Sequence, residues 1–152
     1  MKALFFIWLS VLLLGSCRSG DAVKPTGSSA LVGDWKLIDP NSAYTVTLRI
    51  EEQPVQLAGF DSFKLSGRAA VNAYFADANI SKGPSIESGE AGTGGIGNLG
   101  VTQVAGTTDA MRYEDTYFAR LRSVNRAEVT STGLLQLTYT AVTPGILIYQ
   151  RQ

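Results

Sequence analysis

The stretch AYTVTLRIE, residues 43–51, alternates without a break: Tyr44, Val46, Leu48 and Ile50 fall on one side, and Thr45, Thr47, Arg49 and Glu51 on the other. A period of two puts one side in a core and the other in water, which is the signature of a half-buried antiparallel strand. SFKLSGRAAVNAYF, residues 62–75, carries the same alternation through Phe63, Leu65, Gly67, Ala69, Val71, Ala73 and Phe75. Its glycine and alanines suit a bend or a tightly packed interior in a curved sheet. LLQLTYTA (134–141) and GILIYQR (145–151) read as a late pair of strands joined at VTPG, and NRAEVT (125–130) as a strand ahead of them.

One segment departs from this period. In TTDAMRYEDTYFARLRSV, residues 107–124, Ala110, Tyr113, Tyr117, Leu121 and Val124 recur at spacings of three and four, and Phe118 widens the stripe. Thr107 or Thr108 can cap the start, and Asp109 complements the positive end of the helix dipole. The expected fold class is therefore mainly β: a small antiparallel β-barrel-like domain with one α-helix near residues 108–124. Closure into a barrel removes exposed strand edges.

The front of the chain has another character. Met1-Lys2 is a short positive region, followed by the apolar run ALFFIWLSVLLL (3–14) and then LGSC, ending in Cys17. A run of twelve residues suits a signal sequence and falls short of the ~20 that span a bilayer. LGSC looks like a bacterial lipobox, which implies cleavage before Cys17 and acylation of its thiol and amine. Two or more acyl chains hold a protein stably on a membrane, at ~0.8 kcal/mol per buried CH₂. The expected organisation is a lipoprotein signal peptide at 1–16, a lipidated flexible tether at 17–30 and one folded domain at 31–152. RSGDAVKPTGSSA (18–30) is small, polar and aperiodic, as a tether requires. Arg18 stands where inner-membrane lipoproteins commonly carry aspartate, which points by analogy to the outer membrane, facing the periplasm, rather than the inner one.

Cys17 is the only cysteine and there is no histidine. A mature chain with no second thiol has no disulfide, so its stability must come from a packed core. The Ser-His-Asp triad, the Cys-His pair and the usual zinc sites all need residues the chain lacks. Without Lys2 the charges are 12 Lys+Arg against 13 Asp+Glu, with no basic run, which argues against nucleic acid. DANISKGPSIE (77–87) half-resembles a calcium loop but has Lys82 at the turn-glycine position and Ser88 at the bidentate-glutamate position. Asp34, Glu51, Glu52, Glu114 and Asp115 could furnish a carboxylate pair, but nothing in their spacing pairs them, and they read as solvated surface acids.

GTGGIG, residues 92–97, satisfies the G-x-G-x-x-G pattern of a dinucleotide loop. That loop follows a buried parallel strand and opens a helix. Here SKGPSIESGEA precedes it and NLGVTQVAG follows it. Neither context fits, so no nucleotide is expected. The segment reads as a glycine-rich loop feeding a short strand near Leu99–Val104.

Several short motifs, in order, resemble the META domain, also called HslJ-like, of bacterial envelope proteins. L-x-G-x-W-x-L is matched by Leu31, Gly33, Trp35 and Leu37. F…G…C-N-x-Y is matched by Phe63, Gly67, Asn72 and Tyr74, and T-x-x-A-C by Thr102 and Ala105. Glu114, Tyr117 and Leu121 match the helix motif, and Leu135, Leu137, Gly145, Leu147 and Tyr149 the last pair of strands. Two cysteines frequent in the family are replaced by Val71 and Gly106. The resemblance implies a small β-barrel-like envelope protein linked to stress or antibiotic tolerance. It marks Gly33, Trp35, Gly67, Asn72, Tyr74, Thr102 and Glu114 as structural positions.

The function expected is a non-enzymatic accessory lipoprotein that binds another envelope protein, without cofactor or metal. The alternative is a carrier of a small hydrophobic ligand inside the barrel. Gly67, Ala69 and Ala73 at inward-type positions would leave space for it, and Phe63, Phe75 and Trp35 would fill that space.

Overall fold

A computed structural model describes residues 30–54, 57–81, 92–141 and 143–152. The signal sequence, Cys17, nearly all of the tether and the second half of the calcium-like stretch lie outside the described residues. Eight antiparallel strands form a closed barrel in chain order, with β8 returning to β1. They are β1 (Gly33–Asp39), β2 (Thr47–Glu52), β3 (Phe60–Arg68), β4 (Ala73–Ser81), β5 (Gly92–Val101), β6 (Val124–Val129), β7 (Leu135–Tyr139) and β8 (Gly145–Arg151). The single helix among the described residues, α1 (Thr108–Arg122), lies between β5 and β6. The mainly β, barrel-with-one-helix fold expected from the sequence is the fold observed.

The interior follows from the alternation. Trp35 and Leu37 of β1, Leu48 and Ile50 of β2, Phe63 and Leu65 of β3, and Leu147 and Tyr149 of β8 all point inward and are buried. Each such side chain contributes about 1.5–3 kcal/mol on leaving water. An eight-stranded barrel is just wide enough for side chains to fill. Large inward residues on β3 stand beside small ones on β4, Phe63 by Ala78 and Leu65 by Ala76.

Three sequence expectations need correction. The alternation of residues 62–75 does not run through as one strand. Ala69 N–H donates to the Asn72 carbonyl at 2.9 Å, closing a turn between β3 and β4. The turn shifts the phase, so Tyr74, Ala76, Ala78 and Ile80 face inward, while Ala73 is exposed and Phe75 is 63% exposed. Neither Ala73 nor Phe75 shapes the interior. GTGGIG is not a loop: it is the first half of β5, paired with β4 through Gly94↔Ile80 and Ile96↔Ala78. The strand ends at Val101, so the stretch to Val104 lies beyond it. The β4–β5 register shifts between Phe75 and Asp77, where Asn98 has φ 49°. Asparagine tolerates this left-handed conformation better than most residues. The extra residue turns Leu99 and Val101 back towards the core that Ile96 meets from the other side of the bulge.

Three glycines sit opposite an aromatic residue on the neighbouring strand. Gly67 pairs with Tyr74, Gly100 with Phe75 and Gly145 with Tyr139. In each pair the ring lies over the place a Cβ would take. The aromatic covers the backbone that glycine leaves bare, a known device for pinning register in curved sheets. At Gly67 the Thr47 carbonyl also closes on the same spot.

Helix α1 forms where its stripe predicts. Thr107 is the N-cap, accepting from Ala110 N–H at 3.3 Å, with Asp109 in the first turn and Arg120 and Arg122 in the last. Ala110, Tyr117, Phe118 and Leu121 are buried, Tyr113 is half-buried, and Val124 already belongs to β6. The helix lies at the end of the barrel where β4 starts and β5 finishes. The opposite end carries Leu31, which lines a small apolar gap together with Ile50, Phe63 and Ile80. Arg151 holds this N-terminal turn by donating to the carbonyls of Val32 (2.9 Å) and Ala30 (2.8 Å) while stacking 4.3 Å above the Trp35 ring.

Candidate functional site

Glu114 is the only carboxylate on the buried stripe of α1, one turn from both Ala110 and Tyr117–Phe118. It is 2% exposed, which overturns its reading as a solvated surface acid. A carboxylate can occupy such a place only if its oxygens are fully engaged. One oxygen accepts from the backbone N–H of Val71 and of Asn72, each at 2.6 Å. The other accepts from Asn72 Nδ2 at 2.7 Å. Burial pushes the Glu114 pKa up. The hydrogen bonds from the Asn72 side chain and from the Asn72 and Val71 amides, with the Arg68 charge, outweigh it and hold the carboxyl below the usual carboxylate range.

Asn72 connects this acid to the end of β5. Its Nδ2 also donates to the Val104 carbonyl at 3.1 Å. Its Oδ1 accepts from Val104 N–H at 2.7 Å and from Thr102 Oγ1 at 2.9 Å. Thr102 Oγ1 in turn accepts from Ala73 N–H at 3.1 Å. Side chains thus bind three separated segments, the β3–β4 turn, the 102–104 stretch and α1, beyond the last backbone bond between Thr102 N–H and the Ala73 carbonyl. Every buried side-chain nitrogen and oxygen among the described residues has a partner.

A second polar chain runs into the core. Tyr74 OH donates to the Thr47 carbonyl at 2.8 Å and lies 2.9 Å from Tyr117 OH, which is 3.1 Å from Tyr149 OH. With the Tyr74 proton committed to Thr47, Tyr117 donates to Tyr74 and Tyr149 to Tyr117. Burial raises all three phenol pKa values, and at Tyr117 and Tyr149 the neighbouring phenols raise them further. Edge-to-face packing of Phe118 on Tyr74 and Tyr117 completes the cluster.

The structure therefore brings together Gly67, Asn72, Tyr74, Thr102 and Glu114, five residues spread over 48 positions of sequence. Gly67 and Tyr74 form one aromatic–glycine pair, and Tyr74 and Glu114 lie on the two sides of the same turn. Gly33 and Trp35 belong to the other end of the barrel, around Arg151. Gly33 has φ 143°, and a Cβ there would meet the Arg151 guanidinium.

Among the described residues, large side chains fill much of the barrel interior. The apolar gap beneath Leu31 amounts to about 30 Å³, room for about one water-sized sphere. The larger opening is outside. Beyond Thr93, β6 no longer pairs with β5, and α1 lies beside the second half of β5 in its place. A groove of about 670 Å³ runs between them over the Asn72–Glu114 network, with Leu99, Val101, Val104, Met111 and Phe118 on its walls. Val104 is 56% exposed there. Nothing in the sequence marked this groove, because it is created by a ladder that stops. Among the described residues no three acidic side chains gather closely enough to hold a metal ion. No helix among them is long and apolar enough to cross a membrane.

No known protein family, curated protein or solved structure matches this chain.

Proposed function

We infer that the chain is a lipid-anchored, META-like accessory protein of the bacterial envelope, non-enzymatic, whose work is to bind another envelope protein. The observation that carries this reading is where the space lies: about 30 Å³ inside the barrel against about 670 Å³ in the groove outside it. Small-molecule sites commonly need ~300–1,000 Å³. The barrel is compatible with either role, but a hydrophobic cargo would have to displace packed side chains, which favours the accessory reading over the carrier one. The polar residues of the network point to the same role. Their donors and acceptors are consumed within the fold, which makes Asn72, Thr102 and Glu114 braces of the groove rather than groups available to a substrate. The order of the META-like motifs along the sequence is what supports the family resemblance.

In-cell photo-cross-linking of the lipidated protein tests the reading. Repeated recovery of one envelope protein is the expected outcome, and recovery of random neighbours alone would refute it. Acyl labelling tests the anchor separately: it should be present in the native chain and lost in Cys17→Ser.

A further inference from the structure

We propose that the second half of β5 and the facing side of α1 form a peptide-binding cleft, which takes an extended segment of a partner protein as an added strand. The proposal rests on the protein-binding reading above and names its surface.

β5 pairs with β4 along most of its length, but with β6 only through Gly92↔Ala127 and Thr93↔Arg126. From Gly94 to Val101 its other edge has no strand partner among the described residues. Such an edge offers a row of backbone donors and acceptors, and natural proteins usually blunt it with lysine, proline or strong charge. GGIGNLGV, residues 94–101, contains none of these, so among the described residues the edge is guarded only by the Asn98 bulge and by α1 beside its second half. Gly95 and Gly97 have open space where a Cβ would be, so no neighbouring side chain stands over these positions on their face of the sheet.

The groove beside this edge has the composition of a strand-addition site, in which main-chain hydrogen bonds give affinity and pockets for alternate side chains give selectivity. Leu99, Val101 and Phe118 supply the apolar wall. Asp115 and Arg122 sit on the helix side of the groove, seven residues or about 10 Å apart, and neither makes an ion pair among the described residues. These charges define the occupant: an extended peptide with apolar residues at alternate positions, an acidic residue meeting Arg122 and a basic one meeting Asp115.

Ala30, where the tether joins, is at the Leu31 end of the barrel, and the groove is at the α1 end, so attachment of the tether leaves the groove accessible to a protein segment.

The test is selection of displayed random dodecapeptides on the intact protein, followed by hydrogen exchange with the best binder. Selected peptides should share alternate apolar residues and an acidic position, and should slow exchange of the 95–101 amides. Arg122→Glu, an exposed substitution, should weaken an acidic peptide about tenfold and favour its charge-reversed version. Peptides without alternation, protection elsewhere, or indifference to Arg122→Glu would overturn the cleft. A concentration-dependent dimer protecting the same amides would replace the partner with a second copy and overturn the proposal as well. Peptide binding here without any recoverable envelope partner would sink the accessory reading and leave the cleft standing. A cross-linked partner seated on another face would do the reverse.

Discussion

Replacing Glu114 separates the charge of the network from its shape. Glu114→Ala leaves three donors, the Val71 and Asn72 amides and Asn72 Nδ2, without their acceptor. A buried donor stranded in this way costs about 1–3 kcal/mol. Water can enter from the groove beside it, so the sum is ~3–5 kcal/mol, a large share of the ~5–15 kcal/mol that holds a domain together. For a domain of this size that is a fall in Tm of roughly 10–20 °C. Glu114→Gln is milder and more informative. Its amide oxygen can still accept both backbone N–H groups, but its nitrogen meets Asn72 Nδ2, donor against donor. Asn72 cannot turn over, because its Oδ1 is held by Val104 N–H and Thr102 Oγ1. The expected cost is ~2 kcal/mol at pH 7. The Glu114 pKa lies below its unfolded value. Its contribution is therefore complete above about pH 4.5 and is lost as the pH falls through the folded value. Thermal unfolding of both proteins by circular dichroism, from pH 7 to pH 3, should show a gap that closes with acid. An equal Tm at pH 7, or a gap undiminished at pH 3, would refute the account of Glu114 as a charged brace.

Other consequences follow from the same contacts. Asn72→Asp sets two carboxylates face to face and should cost ~3–5 kcal/mol at pH 7, with partial recovery in Asn72→Asp/Glu114→Gln measured by urea unfolding. Gly67→Ala should destabilise by about 1–3 kcal/mol, because its Cβ would meet the Thr47 carbonyl and the Tyr74 ring. Gly97→Ala, with open space at its Cβ, should be neutral or stabilising by up to about 1 kcal/mol, so equal effects at the two glycines would contradict the packing described. Tyr74, Tyr117 and Tyr149 have folded pKa values above the unfolded ~10. Stability should fall above about pH 10, by up to ~1.4 kcal/mol per pH unit for each tyrosine. Their share of the 295 nm tyrosinate absorbance should appear only together with loss of the β-sheet signal.

The sequence makes the strong strands plain. At Leu48 and Ile50, and at Leu147 and Tyr149, large side chains carry a period of two that nothing nearby imitates. Helix α1 is legible for the same reason at a different period, and Thr107 marks its start. The phase of β4 is lost because AAVN, residues 69–72, has small or apolar residues at both parities, so the turn leaves no mark on the alternation. β5 is hidden more deeply: glycine has no side chain to report a face, and Asn98 changes the face midway. Glu114 was open to a better reading. An acid at the i+4 position from Ala110 and the i−3 position from Tyr117 interrupts an apolar stripe, and an acid there has to be either exposed or fully paired. The groove could not be read at all, because it depends on where the β5–β6 pairing stops.

Native mass spectrometry of the protein purified from an envelope fraction and freed of detergent tests most directly the claim of an anchored barrel with a filled interior. The account predicts a chain beginning at an acylated Cys17 with no further small molecule attached. A reproducible non-covalent adduct would mean that the interior opens to take a ligand, and an unacylated chain would remove the anchor on which the envelope assignment rests.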